Sequence, residues 1–216
     1  MASKQAGLTT TSYAILGLLA VKPWTTYELA QQMRRALGQF WPRAESKLYE
    51  EPKKLVAHGL ATATKESTGR RPRTVYAITD EGRQAMAEWV PQPGAAPVLE
   101  FEGLVKLFYA EHGSKADVLA TLAVVDEWVD QQHRDGAGIS RAYLDHEGPF
   151  PERLPWLVLC GQFLEEIHLA VERWAEWATE VVEDWPDDLR QAEPALDVLR
   201  AQAERNEAWL ARQPED

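Results

Sequence analysis

Residues 60–79 change the rhythm of this chain. After the helical spacing of residues 9–59, "LATATKE" and "RTVYAIT" alternate with a period of two, and "STGRRP" separates them. Alternation of that kind suits a half-buried strand, and a Gly- and Pro-bearing break between two such runs closes them into a hairpin. "TDEGRQAMAEWV" (79–90) then returns to helical spacing. Thr79 or Asp80 stands ready to cap it, and acidic residues fill its first turn, where the helix macrodipole favours them.

Three helices are expected ahead of the hairpin. In "TTTSYAILGLLAV" (9–21) Thr and Ser precede an almost wholly apolar stretch, which predicts a capped and buried helix. "KPWTT" ends it. Thr25 or Thr26 then caps "YELAQQMRRAL" (27–37), where Tyr27, Leu29, Ala30, Met33 and Leu37 share one face and Gly38 is the stop. The third helix lies within "RAESKLYEEPKKLVAHGL" (43–60), with Leu48, Leu55 and Val56 inward and Gly59 at its end. Pro52 interrupts it. Proline removes the hydrogen bond to the Leu48 carbonyl at a cost of about 3 kcal/mol, which predicts a kink or break near residues 48–52.

"PQPGAAPV" (91–98) is the sharpest punctuation, and it divides the chain into a module over 1–90, a linker over 91–99 and a second module over 100–216. Charge divides at the same place. The whole chain carries a net charge of -11, yet residues 1–90 hold 13 Lys or Arg against 8 Asp or Glu, and residues 91–216 hold 10 against 26. Opposite signs in the two halves suggest different partners. The second half has no strand signal. Helices are expected over "FEGLVKLFYAEHG" and "SKADVLATLAVVDEWVDQQHRDG", ending at Gly113 and Gly136. Leu157, Cys160, Leu164, Ile167, Val171, Trp174, Ala178, Val181 and Trp185 then recur at alternating steps of three and four, an a/d seam of four heptads. Its length and bulky Trp positions favour an interface between two chains.

Helix, helix, helix and two-stranded wing is the plan of a winged helix-turn-helix. The fold class is therefore mainly α with a small β-hairpin: an N-terminal winged helix-turn-helix followed by an all-α dimerisation domain. In that plan the third helix enters the major groove and the wing reaches phosphate or the minor groove. Arg43, Ser46, Lys47 and Tyr49 fall in the first turns of the third helix, and Lys53 and Lys54 continue its basic face. Hydroxyls and Lys suit phosphate, while Arg43 suits a guanine edge. Arg70, Arg71 and Arg73 crowd the hairpin tip.

Other classes find less support. There is no Gly-rich phosphate loop, nucleophile elbow or metal-spaced set of His and carboxylates, so an enzyme, a bound metal and a cofactor are not expected. His168 reads as a helix-surface residue and Cys160 as a small buried hydrophobe. A lone cysteine, the absence of a leader-like N-terminus and an apolar run limited to residues 13–21 predict a cytoplasmic protein without a membrane partner. Nine Trp residues could wall a pocket for a flat ligand, with Phe40, Trp41 and Trp89 near the module junction as candidates. A winged-helix module contacting RNA or a protein partner remains the rival reading.

The residues also resemble a family. "SYAILGLLAVKPWTTYELAQQM", "SKLYEEPKKLVAHGLAT" and "GRRPRTVYAITDEGRQAMAEW" are similar to the PadR family of bacterial transcriptional regulators over residues 8 to 90. The family's Ile-Leu-Gly-Leu-Leu core matches Ile15 to Leu19, and its entry to the second helix matches Thr25, Thr26, Tyr27 and Glu28. Ser46, Tyr49, Gly59 and Leu60 match the recognition helix and its close. Arg73, Tyr76, Thr79 and Gly82 match the wing's Arg-x-x-Tyr-x-x-Thr-x-x-Gly. Thr26 stands where the family has Gly, and Pro52 where it has a core Leu. The resemblance implies a homodimeric repressor bound to an inverted-repeat operator in double-stranded DNA, with Thr25 and Tyr27 joining the DNA-facing set. It further implies release by a small aromatic effector, and dimerisation through Leu157, Leu164, Ile167, Val171, Trp174, Ala178 and Val181, as in the longer subgroup with a helical C-terminal domain.

Overall fold

The computed structural model describes residues 7–68 and 71–213. The chain forms two compact units, Met1–Pro97 and Val98–Asp216.

The first unit begins with α1 (Thr10–Val21), whose start is closed by a reciprocal pair in which the Thr9 and Ser12 side chains each accept from the other's backbone N–H. Strand β1 (Trp24–Thr25) and helix α2 (Thr26–Leu37) follow, the latter capped in the same way by Thr25 and Glu28. Then come α3 (Glu45–Ala57), β2 (Ala61–Thr68), β3 (Arg71–Ile78) and α4 (Asp80–Trp89). The sheet order is β1-β3-β2, all antiparallel, so the wing has a third short strand that the sequence pattern did not reveal. Trp24 opposite Tyr76 fixes that extra pairing. Ile15, Leu16, Leu19, Leu29, Met33, Leu48, Leu55 and Tyr76 form the core, contributed by α1, α2, α3 and β3.

Two expectations for this unit are corrected. Helix α3 runs on through Pro52 without a break. The ring is fully buried, so its packing offsets the single hydrogen bond it forfeits. The wing strands also extend further toward the tip than the alternation predicted, pairing out to Thr68 and Arg71. Arg71 and Arg73 therefore belong to β3.

The second unit contains α5 (Glu102–Phe108), α6 (Lys115–Leu144), α7 (Leu154–Glu183) and α8 (Leu196–Leu210), with short 3-10 turns at Ala110–His112, Pro151–Arg153 and Leu189–Gln191. α6 continues through Gly136 and Gly138 instead of stopping, because a helix with packed sides tolerates the roughly 1 kcal/mol cost of an interior glycine. α6 and α7 pack together around Val118, Leu122, Ala178 and Val182, with Trp174 and Trp185 alongside. The heptad seam of α7 is therefore divided. Ala178 and Trp174 face α6 within the chain, Leu157, Leu164, Val171 and Val181 are half-buried, and Ile167 is exposed. A neighbouring stripe of α7, Trp156, Leu159, Phe163 and Trp177, is exposed as well.

Three smaller readings are overturned here. Cys160 is exposed, since the α6 contact lies on the adjacent face of α7. His168 is buried, its ring edge-on to Trp128 with centroids 5.4 Å apart. An 18-residue window of Pro151–Glu183 is long and apolar enough to cross a membrane, and almost none of it is buried within the chain. The earlier limit to residues 13–21 missed it because Glu165 and Glu166 interrupt the run.

Candidate nucleic-acid interface

Helix α3 is held from behind and free in front. Leu48, Glu51, Pro52 and Leu55 form its buried stripe, while Ser46, Lys47, Glu50 and Lys53 are exposed and Tyr49 is half-buried. Its N-terminus is unlike the others in this unit: α1, α2 and α4 start with a Thr side chain accepting a backbone N–H, whereas α3 starts at Ala44 with no side-chain cap. The first N–H groups of α3 point outward at the positive end of the helix dipole, an arrangement that suits phosphate.

Arg43 lies one residue before that cap, outside the helix where it was expected. Its guanidinium stacks 3.9 Å above the Trp41 ring, and its Nη1 donates to the Pro42 carbonyl oxygen. The Trp41 indole N–H in turn donates to Thr11 Oγ1 at 3.2 Å, tying this segment to α1. Arg43 is thus presented at the mouth of α3 by an aromatic platform.

Most of the basic residues here have acidic partners. Lys47 is 3.5 Å from Glu50, and Lys54 is 3.6 Å from Glu51. Arg73 Nη2 reaches Glu66 Oε2 at 2.9 Å across the wing, where the two residues stand directly opposite. The Lys47–Glu50 and Arg73–Glu66 pairs are exposed and worth only about 0.2–1 kcal/mol each, so their carboxylates are displaced at little cost, whereas Glu51 is buried. Lys53 has no ion pair among the described residues. Arg71 sits opposite Thr68 at the end of the hairpin, and Arg70 lies outside the described residues.

Thr25 has a structural task that the family match did not indicate. Its hydroxyl donates to Glu28 Oε2 at 2.7 Å and accepts the Glu28 N–H, so the side chain is committed to capping α2. The Thr25 N–H and hydroxyl hold the Glu28 carboxyl below the usual carboxylate range, with Arg73 and Lys22 adding to the effect. Tyr27, beside them, is exposed.

The three aromatic candidates do not meet in one walled pocket among the contacts described. Phe40 is exposed, Trp41 is held by Thr11 and Arg43, and Trp89 stacks on Tyr13 with centroids 4.7 Å apart and planes 4° from parallel. Burial pushes the Tyr13 hydroxyl above its ordinary range, and Glu88 adds to that. A groove of about 390 Å³ opens instead in the second unit, lined by Val105, Leu107, Tyr109, Ala110, Val118 and Thr121 among others.

Comparison with known proteins bears on this geometry. Residues 15–88 match the Transcriptional regulator PadR-like family. The negative transcriptional regulator PadR of Bacillus subtilis is 31% identical over 99 residues, which are 45% of this chain and 54% of that protein. The chain matches about half the length of its curated relatives. Among solved structures, B. subtilis PadR in complex with operator DNA superposes with a TM-score of 0.67 at 22% identity, over 81% of this chain and 99% of that one. The same regulator in complex with p-coumaric acid superposes with a TM-score of 0.60 at 22% identity, over 82% and 100%. At that identity the likeness speaks for the fold, and it extends into the helical second unit.

Proposed function

We propose that the chain is a PadR-like transcriptional regulator, the family its residues 15–88 match, and that it acts as a homodimeric, operator-binding repressor released by a small aromatic effector. One observation carries the reading: an α3 packed from behind, with an uncapped N-terminus and exposed Ser46 and Lys47, stands in the same unit as a long hairpin that ends in arginines. In this account the first turns of α3 enter the major groove and Arg70, Arg71 and Arg73 hold phosphate or the minor groove at the wing. Lys47 and Arg73 exchange their carboxylate partners for phosphate on binding, while Lys54 stays with the buried Glu51. Lys53 needs no exchange. The protein acts in the cytoplasm, where its operator is, and performs no catalysis.

Exposed apolar residues on α7, α6 and α8 support the second copy. Trp156, Phe163 and Trp177 on α7, Val124 and Trp128 on α6, and Leu196, Leu199, Trp209 and Leu210 on α8 are large apolar side chains left exposed by the single chain. Dimerisation on this face brings two α3 helices to half-sites about one helical turn, or a multiple of it, apart. The effector is a flat aromatic, and since Trp41 is held by Thr11 and Arg43 and Trp89 by Tyr13, no binding role is assigned to those rings.

Genomic fragments retained by the purified protein provide the test. An inverted repeat shared by the retained fragments is expected, and excess RNA should compete poorly for it. Retention without a shared repeat, or efficient displacement by RNA, favours the rival module. Quenching of Trp fluorescence by phenolic acids tests for the effector, and emission unchanged by them would remove it from this reading.

A further inference from the structure

The buried stripe of α3 contains a carboxylate. Glu51 lies between Leu48, Pro52 and Leu55 with 8% of its surface exposed, a place where helical spacing calls for an apolar side chain. Burying an ionisable group there is costly unless its oxygens are partnered. They are. Glu51 Oε2 accepts the Ser12 hydroxyl at 2.6 Å, and Glu51 Oε1 faces the Lys54 ammonium at 3.6 Å.

Ser12 is fully buried in the first turn of α1 and has a single hydroxyl proton to give. Its oxygen already accepts the Thr9 N–H at 3.0 Å, so the proton is directed at Glu51 and the Thr9 hydroxyl donates to Ser12 at 3.2 Å. α1 has no acidic residue in its own first turn. Glu51 therefore supplies from α3 the negative charge that the positive end of α1 favours.

We propose that Glu51 is a positioning residue for DNA recognition: through Ser12 it fixes the rotation and register of α3 on α1, so that Ser46, Lys47 and Tyr49 meet base edges in one orientation. A stripe of apolar contacts alone would let α3 slide or turn by fractions of a residue at little cost, whereas a short buried hydrogen bond has one geometry. Lys54 belongs to the same device, since its ammonium meets the carboxylate oxygen that Ser12 leaves free. This inference rests on the operator-binding reading.

The experiment uses the full-length protein, a genomic fragment that it retains and an unrelated duplex of equal length, and measures the ratio of the two affinities. Glu51→Leu, which replaces the carboxylate by an apolar side chain suited to the stripe, is expected to fold and to bind the unrelated duplex as wild type does. Its ratio should fall about tenfold, the worth of roughly one base pair of reading. Glu51→Gln keeps an acceptor for Ser12 and should stay nearer to wild type than to the leucine variant. Ser12→Ala removes the donor from the other side and should lower the ratio too, which keeps the test sound if leucine prevents folding. A wild-type ratio in both Glu51→Leu and Ser12→Ala overturns the proposal, as does an equal fall on both duplexes, the mark of a merely structural pair. A wild-type protein with no preferred fragment is a different result, and it removes the operator-binding reading itself.

Discussion

Gly82 shows at the scale of single residues why the wing motif has its spacing. A Cβ at Gly82 would run into the Leu60 carbonyl oxygen, so α4 can only approach the end of α3 this closely with glycine there. Thr79 works with it. Its hydroxyl donates to the Gly59 carbonyl oxygen at 2.8 Å and accepts the Gly82 N–H at 3.1 Å, joining the α3 exit to the α4 start. Tyr76 is buried and pairs with Trp24 of the third strand. The motif is thus a bracket for the wing, and among its four residues only Arg73 faces outward as a charge. Gly82→Ala should destabilise the fold by about 2 kcal/mol through overpacking against rigid backbone. Thr79→Ala should cost about 1 kcal/mol through the lost cap. Urea denaturation measures both, and equal stability in the alanine variant of Gly82 would contradict the close approach. Thr79 was legible as a cap, which is a local property, whereas Gly82 was marked only by the family resemblance, because its close approach to Leu60 arises across the fold. No sequence signal marked the Trp41–Arg43 stack or the Glu51–Ser12 bond, because residues 12 and 51 are brought together only by the packing of α1 on α3.

At the scale of elements, α3, the wing and α4 were legible from periodicity and caps, and their boundaries shifted by only a few residues. β1 was not, because two residues carry no alternation and are recruited by pairing with β3. α6 and α7 were legible as helices but not as partners: the heptad pattern locates an apolar stripe without saying whether the same chain covers it. The α6–α7 contact also buries His168, which surface reading misplaced. Burial pushes the His168 imidazole below its ordinary 6.5; Glu165 opposes this and His133 reinforces it. A base whose folded pKa is depressed leaves stability untouched while it is neutral in both states. Stability then falls as pH drops through the unfolded value toward the folded one, because the unfolded chain binds the proton more readily. The second unit should therefore lose stability as pH falls from about 7 to values below the ordinary 6.5. Glu165 and Glu172 each stand 3.8 Å from a ring nitrogen of His133, beside this cluster. His168→Phe, which keeps a ring against Trp128, should flatten the slope in urea melts between those pH values. An unchanged slope would assign it to other groups.

For the molecule as a whole, the division of charge and the division of structure coincide closely. The boundary between units falls at Pro97, and the basic residues of 1–90 stand apart from the acidic excess beyond. An acidic second unit disfavours nonspecific adhesion to DNA, so on the proposed operator-binding reading the binding falls to the few cations of α3 and the wing. The same reading requires two copies of that small basic surface, which puts dimerisation ahead of operator binding. Ile167→Lys combined with Trp177→Lys should convert the protein to a monomer in analytical ultracentrifugation and weaken retention of the genomic fragment. A persistent dimer would move the interface off this face of α7. The most direct test of DNA recognition by α3 and the wing is the affinity for a retained fragment across a salt series, for wild type and for Arg71→Ala. Wild-type affinity should fall steeply and linearly on logarithmic axes, and the arginine variant should bind more weakly with a slope smaller by about 1. An Arg71→Ala protein with wild-type affinity and slope would take the wing out of the account, and a wild-type affinity indifferent to salt would contradict DNA binding through these residues altogether.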